Sequence, residues 1–311
     1  MPILELAAAG AALTLAPGIG GAITAFTVAG VPILRPTPRA ALTDPDVRRT
    51  ACYPLVPYSN RIAHGVLRFA GREYRLARNF GSHPHSIHGV GWQRAWSVVE
   101  ASDTHALLSL SHDPIGAAAE AWPWPFVATQ AFHLAAGPQE TQAVLTVMLT
   151  LTNAGDARFP FGLGFHPYFP RDAATTLRFA ADEVFQNDET QLPVMRVAVP
   201  SQWRFEPARG LLGLALDNVF AGWPGRATIE DRARTTSLAA DRACTFLVVY
   251  APAHASFVAL EPVTHQTDAF NRAAAGVTGT GTRILPPGAS FSCTMRIAAT
   301  ANAPRGPSRD R

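Results

Sequence analysis

The 311 residues carry 26 basic and 23 acidic side chains, a formal charge of +3, and 48% apolar residues, enough for a large core. Every basic residue is Arg and none is Lys, which excludes mechanisms built on a Schiff-base lysine or a phosphate-loop lysine. The Arg residues are scattered, so no basic face invites nucleic acid, and no apolar run reaches the roughly 20 residues of a membrane span.

In chain order, the segment Met1–Leu15 is apolar but carries Glu5 and has no Arg ahead of its apolar run. It reads as two strands leading into a Gly-rich turn at Pro17–Gly21 and not as a secretory signal. Val66–Phe69 and Glu73–Leu76 form a hairpin around Ala70-Gly71. Trp96–Glu100 and Ala106–Ser111 form a second hairpin around Ser102-Asp103. One short helix is expected over Ile115–Ala121, stopped by Pro123 and Pro125. Three long strands follow at Phe126–Leu134, Gln142–Thr152 and Phe159–His166, and three more at Thr245–Tyr250, Ser256–Glu261 and Phe291–Ala298. Strand signals with frequent turns indicate an all-β, mostly antiparallel sandwich. No linker splits the chain, so residues 1–300 form one domain and residues 301–311 a disordered tail. The three cysteines, Cys52, Cys244 and Cys293, lie far apart and are odd in number. That spacing argues against a disulfide framework and a CxxC metal knuckle, and it fits the cytoplasm.

Several polar residues stand out against apolar surroundings. His166 ends an apolar strand and precedes Pro167, the pattern of a strand terminus facing a cavity; a core histidine satisfied by a carbonyl is the alternative. In Phe257–Pro262, strand alternation puts Phe257, Ala259 and Glu261 on one face. A carboxylate on such a face needs a partner, so Glu261 is a candidate base or one half of a structural ion pair with Arg. Asn60-Arg61 follows an apolar stretch, and the planar guanidinium fork suits vicinal hydroxyls or a carboxylate. His83, His85 and His88 invite a metal reading, but Pro84 intervenes and no carboxylate or cysteine stands nearby, so a hydrogen-bonding role for His88 is favoured. Asp217-Asn218 either binds hydroxyls or opens a turn. No GxGxxG, GxSxG, HExxH or Walker pattern is present, and no nucleophile is evident.

Taken together, Leu55–Ile62, His88–Trp92, Gly164–Phe169, Leu216–Phe220, Glu261–Thr264 and Ala269–Asn271 resemble the aldose 1-epimerase (galactose mutarotase) family, in the family's order and over most of the chain. The resemblance implies a β-supersandwich and the interconversion of the α and β anomers of a free aldose without metal or organic cofactor. It makes His166 the general acid and Glu261 the general base, with Asn60, Arg61, His88 and Asp217 orienting sugar hydroxyls. At neutral pH an ionised Glu261 is expected to hold His166 protonated. Tyr58 departs from the Trp often found in the family. The Val90-Gly-Trp92 sequence after His88-Gly89 is the form of a bacterial subgroup, which leaves the sugar open. Two alternatives share the fold. A hexose-6-phosphate 1-epimerase would use a basic rim such as Arg68, Arg72, Arg75 and Arg78, and a sensor would bind sugar without turnover.

Overall fold

The structure, a computed structural model, describes residues 3–302. Two large sheets carry the molecule, and strand pairing within both is antiparallel. A nine-stranded sheet runs in the order Ser97–Ala101, His105–His112, Phe126–Ala136, Gln142–Asn153, Ser290–Ala301, Arg234–Ala240, Arg226–Glu230, Thr176–Phe179 and Phe205–Gly210. An eight-stranded sheet runs Pro193–Ala198, Glu183–Asn187, Leu216–Ala221, Phe246–Ala251, Phe257–Val263, Gly164–Phe165 and Pro54–Leu55, with Tyr168–Pro170 also paired to Phe257–Val263. The N-terminal residues add a four-stranded sheet beginning with Leu4–Ala8 and Ala11–Ala16, the two strands expected there.

The period-2 rule explains how the eight-stranded sheet separates packing from chemistry. Phe220, Leu247, Val249, Val258 and Leu260 point to the main core, where Phe220 meets Phe179 and Phe205 of the nine-stranded sheet at centroid distances of 5.1 and 6.5 Å. Their neighbours Val219, Val248 and Ala259 point the other way and join Tyr53, Ile87, Trp92 and Tyr168 in a second apolar cluster. Asp217, Tyr250, Phe257 and Glu261 share that second face by register, since Val248 pairs with Glu261 and Asp217 with Tyr250. A one-residue slip would bury these polar groups in the core, so the apolar pattern of three strands fixes where the chemistry sits.

Four expectations need correction. The strand expected over Phe159–His166 is broken into Phe159–Phe161 and Gly164–Phe165, and the chain changes partners between them. Gly162 marks the break, because a Cβ there would lie 1.6 Å from His265 Cδ2. The helix expected over Ile115–Ala121 spans only Ala117–Ala121, as Gly116 takes a positive φ of 60°. A helix at Ala269–Ala274 was not anticipated, nor were most strands between 176 and 240, whose short and half-exposed segments give weak periodic signals. Finally, Ala301 is not tail: it ends the long strand Ser290–Ala301 and is buried, and Asn302 donates its N–H to the Ala233 carbonyl at 2.8 Å. The remainder of the expected disordered tail lies outside the described residues.

Candidate active site

A cavity of about 260 Å³ opens over the second face of the eight-stranded sheet, and it contains Asn60, Arg61, His88, His166, Asp217 and Glu261 among its lining residues. Six residues scattered over 200 positions of sequence thus meet at one place. All six expected site residues are brought together.

His166 and Glu261 form a buried pair in this lining. His166 Nε2 lies 3.1 Å from Glu261 Oε1, and the two side chains are only 5% and 3% exposed. His166 is held where its strand ends, with its backbone N–H donated to the Tyr53 carbonyl at 3.0 Å. Glu261 Oε2 is also buried and has no protein hydrogen-bond partner, an arrangement that is costly unless a ligand uses it. Loss of solvation lowers the proton affinity of His166, helped by nearby His88 and Arg35, and raises that of Glu261, helped by the charge of Asp217. Burial thus works against the charged form of each partner, whereas their contact at 3.1 Å favours the carboxylate–imidazolium pair.

The adjoining wall is a clasp between two loops. Asn60 and His88 both adopt left-handed backbone conformations, with φ of 57° and 60°. Asn tolerates this region, whereas for His it stores strain of order 1–3 kcal/mol, which surrounding contacts must hold in place. The contacts are reciprocal: Asn60 N–H donates to His88 Nδ1 at 3.0 Å, and His88 N–H donates to the Asn60 carbonyl at 2.9 Å. Asn60 Oδ1 accepts from Arg61 N and from Arg61 Nη1 at 2.9 and 3.0 Å. Arg61 Nη2 then reaches Asp217 Oδ2 at 3.1 Å. Asn60 therefore aims Arg61, and Arg61 ties the loop to the sheet.

His88, His166 and Glu261 place one potential ligand atom each within 4.8 Å of one another, an arrangement that resembles a cation site. The tautomer of His88 argues against it. Its Nδ1 lone pair is taken by the Asn60 N–H, so neutral His88 carries its proton on Nε2 and presents a donor, not a lone pair. Burial beside Arg61 pushes its pKa down to about 3, which keeps it neutral. The His83, His85, His88 trio does not converge either. His85 is buried and accepts from His64 N–H at 3.0 Å, while its own N–H donates to His83 Nδ1 at 3.3 Å.

Sequence reading assigned no role to Tyr53, Phe80, His83, Tyr168, Tyr250 or Phe257, all of which line the cavity. Tyr250 and Phe257 were within reach, because alternation places them beside Asp217 and Glu261; Phe80 and His83 come from loops and carry no such signal. A further unassigned residue is His265, buried just beyond Glu261 in the chain. Its Nε2 accepts from Ser59 N–H at 3.1 Å and its Nδ1 pairs with the Gln266 carbonyl at 2.7 Å, which fixes the tautomer and fastens the Ser59–Asn60 loop to the sheet.

Comparison with known proteins gives the family and the fold. The sequence profile of the aldose 1-epimerase family matches residues 2–298. The chain belongs to the aldose 1-epimerase family. Among relatives, it is 31% identical over 289 residues to the uncharacterized protein YphB of Escherichia coli K12, covering 89% of this chain and 92% of that one. Among solved structures, a "Putative aldose 1-epimerase" from Escherichia coli K12 matches with a TM-score of 0.84 at 28% identity, over 96% and 99% of the two chains. A galactose mutarotase-like protein from Clostridium acetobutylicum, at 18% identity and a TM-score of 0.82 over 96% and 95% of the chains, shares the fold. The fold is thus of the galactose mutarotase type, and membership of this family makes an isomerase acting on sugars the general expectation.

Proposed function

We propose that the chain is an aldose 1-epimerase that interconverts the α and β anomers of a free, unphosphorylated aldose. The observation that carries this reading is the buried contact of 3.1 Å between His166 Nε2 and Glu261 Oε1 in the lining of a small cavity. Two proton-transfer groups this close suit two oxygens bonded to one carbon, O1 and O5 at the anomeric centre. Glu261 takes the proton from the O1 hydroxyl, C1 and O1 form a carbonyl, the C1–O5 bond breaks, and His166 protonates O5. Rotation about C1–C2 and reversal of these transfers closes the ring on the other face. The pair ends with the proton it began with, and no group leaves the sugar.

The directions of the proton affinities suit these roles. A raised Glu261 is a stronger base than an ordinary carboxylate, and a lowered His166 is a stronger acid than an ordinary imidazolium. The uncharged pair favoured by burial is the state present while the sugar is open. Arg61, Asp217, Asn60 and the His88 Nε2–H supply donors and acceptors for the remaining hydroxyls. A cavity at the small end of the usual range matches one sugar ring.

The phosphorylated alternative finds little support. Arg68, Arg72, Arg75 and Arg78 are not among the residues lining the cavity, and Arg68 pairs with Glu73 at 2.8 Å. The two arginines that do line it, Arg48 and Arg61, are already engaged by Asp46 and Asp217. Three free, buried cysteines accord with a reducing, cytoplasmic setting, and no helix among the described residues is long and apolar enough to cross a membrane. Polarimetry on freshly dissolved α-glucose, α-galactose, xylose and L-arabinose tests the reading. Accelerated mutarotation of at least one sugar, unaffected by hexose 6-phosphates, is expected. Binding without acceleration across the panel would instead favour a sensor.

A further inference from the structure

A catalytic imidazole is commonly oriented by a hydrogen bond on its second ring nitrogen. His166 lacks one: its Nδ1 is buried and has no hydrogen-bond partner in the protein. Something else must set the ring plane. Tyr53 stacks on the imidazole at a centroid distance of 4.5 Å and an interplanar angle of 29°, and Tyr168 also lies at 4.5 Å, tilted by 32°. The two phenol oxygens meet at 3.3 Å. Behind Tyr168, the Arg35 guanidinium carbon sits 3.6 Å from the ring centroid, and it also lies over Phe257 at 4.6 Å. Arg35 has no carboxylate partner among the described ion pairs. It is anchored through Nη2 to the carbonyls of Arg48 and Thr50, at 2.8 and 2.5 Å.

We propose that Arg35, Tyr168 and Tyr53 form with His166 a continuous stack that fixes the imidazole plane against Glu261 and holds a permanent positive charge behind it. Tyr53, Tyr168 and Arg35 are positioning residues, Arg35 acting through Tyr168. The inference rests on the reading of His166 and Glu261 as the proton-transfer pair. The two aromatic rings restrict rotation of the imidazole about the axis that would carry Nε2 away from Glu261, the role a hydrogen-bonded orienter plays elsewhere. The ionisable groups around His166 are Glu261 on its strand, Tyr53 and Cys52 before the clasp loop, His88 in that clasp, Tyr168 two residues on, and Arg35 from the N-terminal sheet's exit. Arg35 is the permanent cation of this set. The stack places it no more than about 8 Å from the imidazole centroid, close enough at an effective dielectric near 20 to move a titration by on the order of one pH unit. The cation disfavours the protonated imidazole, so its removal raises the pH at which His166 takes up a proton.

The test combines polarimetry with ¹⁵N NMR of labelled histidine. Tyr53→Leu and Tyr168→Leu should lower kcat by about tenfold or more with KM held within about threefold, and the Phe variants should recover most of that loss. Arg35→Met should raise the His166 titration midpoint and the alkaline limb of the kcat–pH profile together by about one unit, and Arg35→Lys should restore both toward wild type. Folded Leu variants with unchanged kcat, or an Arg35→Met protein whose His166 titrates as in wild type, would overturn the stack. Should the Leu variants not fold, the Arg35 pair decides the matter alone. Full turnover in His166→Asn would defeat the proton-transfer reading instead, while the NMR titration would still decide whether the stack acts on the imidazole.

Discussion

Gly162→Ala should damage both stability and sugar binding, although the residue touches no substrate. The added methyl would lie 1.6 Å from His265 Cδ2 and 2.4 Å from His265 Nε2, so the imidazole must move. Moving it breaks the bond from Ser59 N–H at 3.1 Å and the bond to the Gln266 carbonyl at 2.7 Å, both buried. Each lost buried bond costs about 1–3 kcal/mol, and overpacking adds a similar amount, so a loss of about 3 kcal/mol or more is expected. Urea denaturation at fixed slope measures it. Loosening Ser59 also releases Asn60 and with it the aim of Arg61, so KM should rise more than kcat falls. The mutations are coupled: in Gly162→Ala/His265→Ala the clash is gone, and the double variant should be little worse than His265→Ala alone. A Gly162→Ala protein within about 1 kcal/mol of wild type would refute the role given to this contact.

Asp217→Ala should raise KM about tenfold with a smaller change in kcat. The partly exposed ion pair with Arg61 contributes about 1 kcal/mol, and a hydroxyl acceptor is lost as well; steady-state polarimetry separates the two constants, and an unchanged KM would remove Asp217 from the binding set. Stability should fall as pH drops below about 6.5, because burial keeps histidines neutral in the fold that protonate in the unfolded chain. His265, with its pKa lowered to about 4, alone costs about 2 kcal/mol at pH 5 relative to pH 7. Thermal melts between pH 5 and 7 check the sign, and a melting temperature that rises on acidification would contradict it.

The legibility of this fold follows from where periodic signals are strong. Phe126–Ala136 and Gln142–Asn153 alternate cleanly between core and solvent, and their sequence signals are correspondingly clear. Strands such as Pro193–Ala198 and Phe205–Gly210 expose most of their side chains at a sheet edge, so alternation says little about them. The break at Gly162 was hidden because its cause, His265, lies 103 positions away in the chain. The site shows the same division. Glu261 could be read from its strand face, and His166 from its place before Pro167. The expectation of a protonated His166 rested on solution pKa values, and the sequence could not show that burial of both partners opposes that charged pair. The tyrosine stack was invisible, since Tyr53 and Tyr168 meet only when the strand Tyr168–Pro170 pairs with Phe257–Val263.

Glu261→Gln tests the acid–base pairing most directly, since it keeps the size of the side chain and a polar contact to His166 Nε2 while removing the base. Mutarotation rates from polarimetry, measured beside sugar affinity from calorimetry, should show turnover lower by about 10² to 10⁴ with affinity changed only modestly. Near-normal turnover in Glu261→Gln would contradict the assignment of proton transfer to this pair.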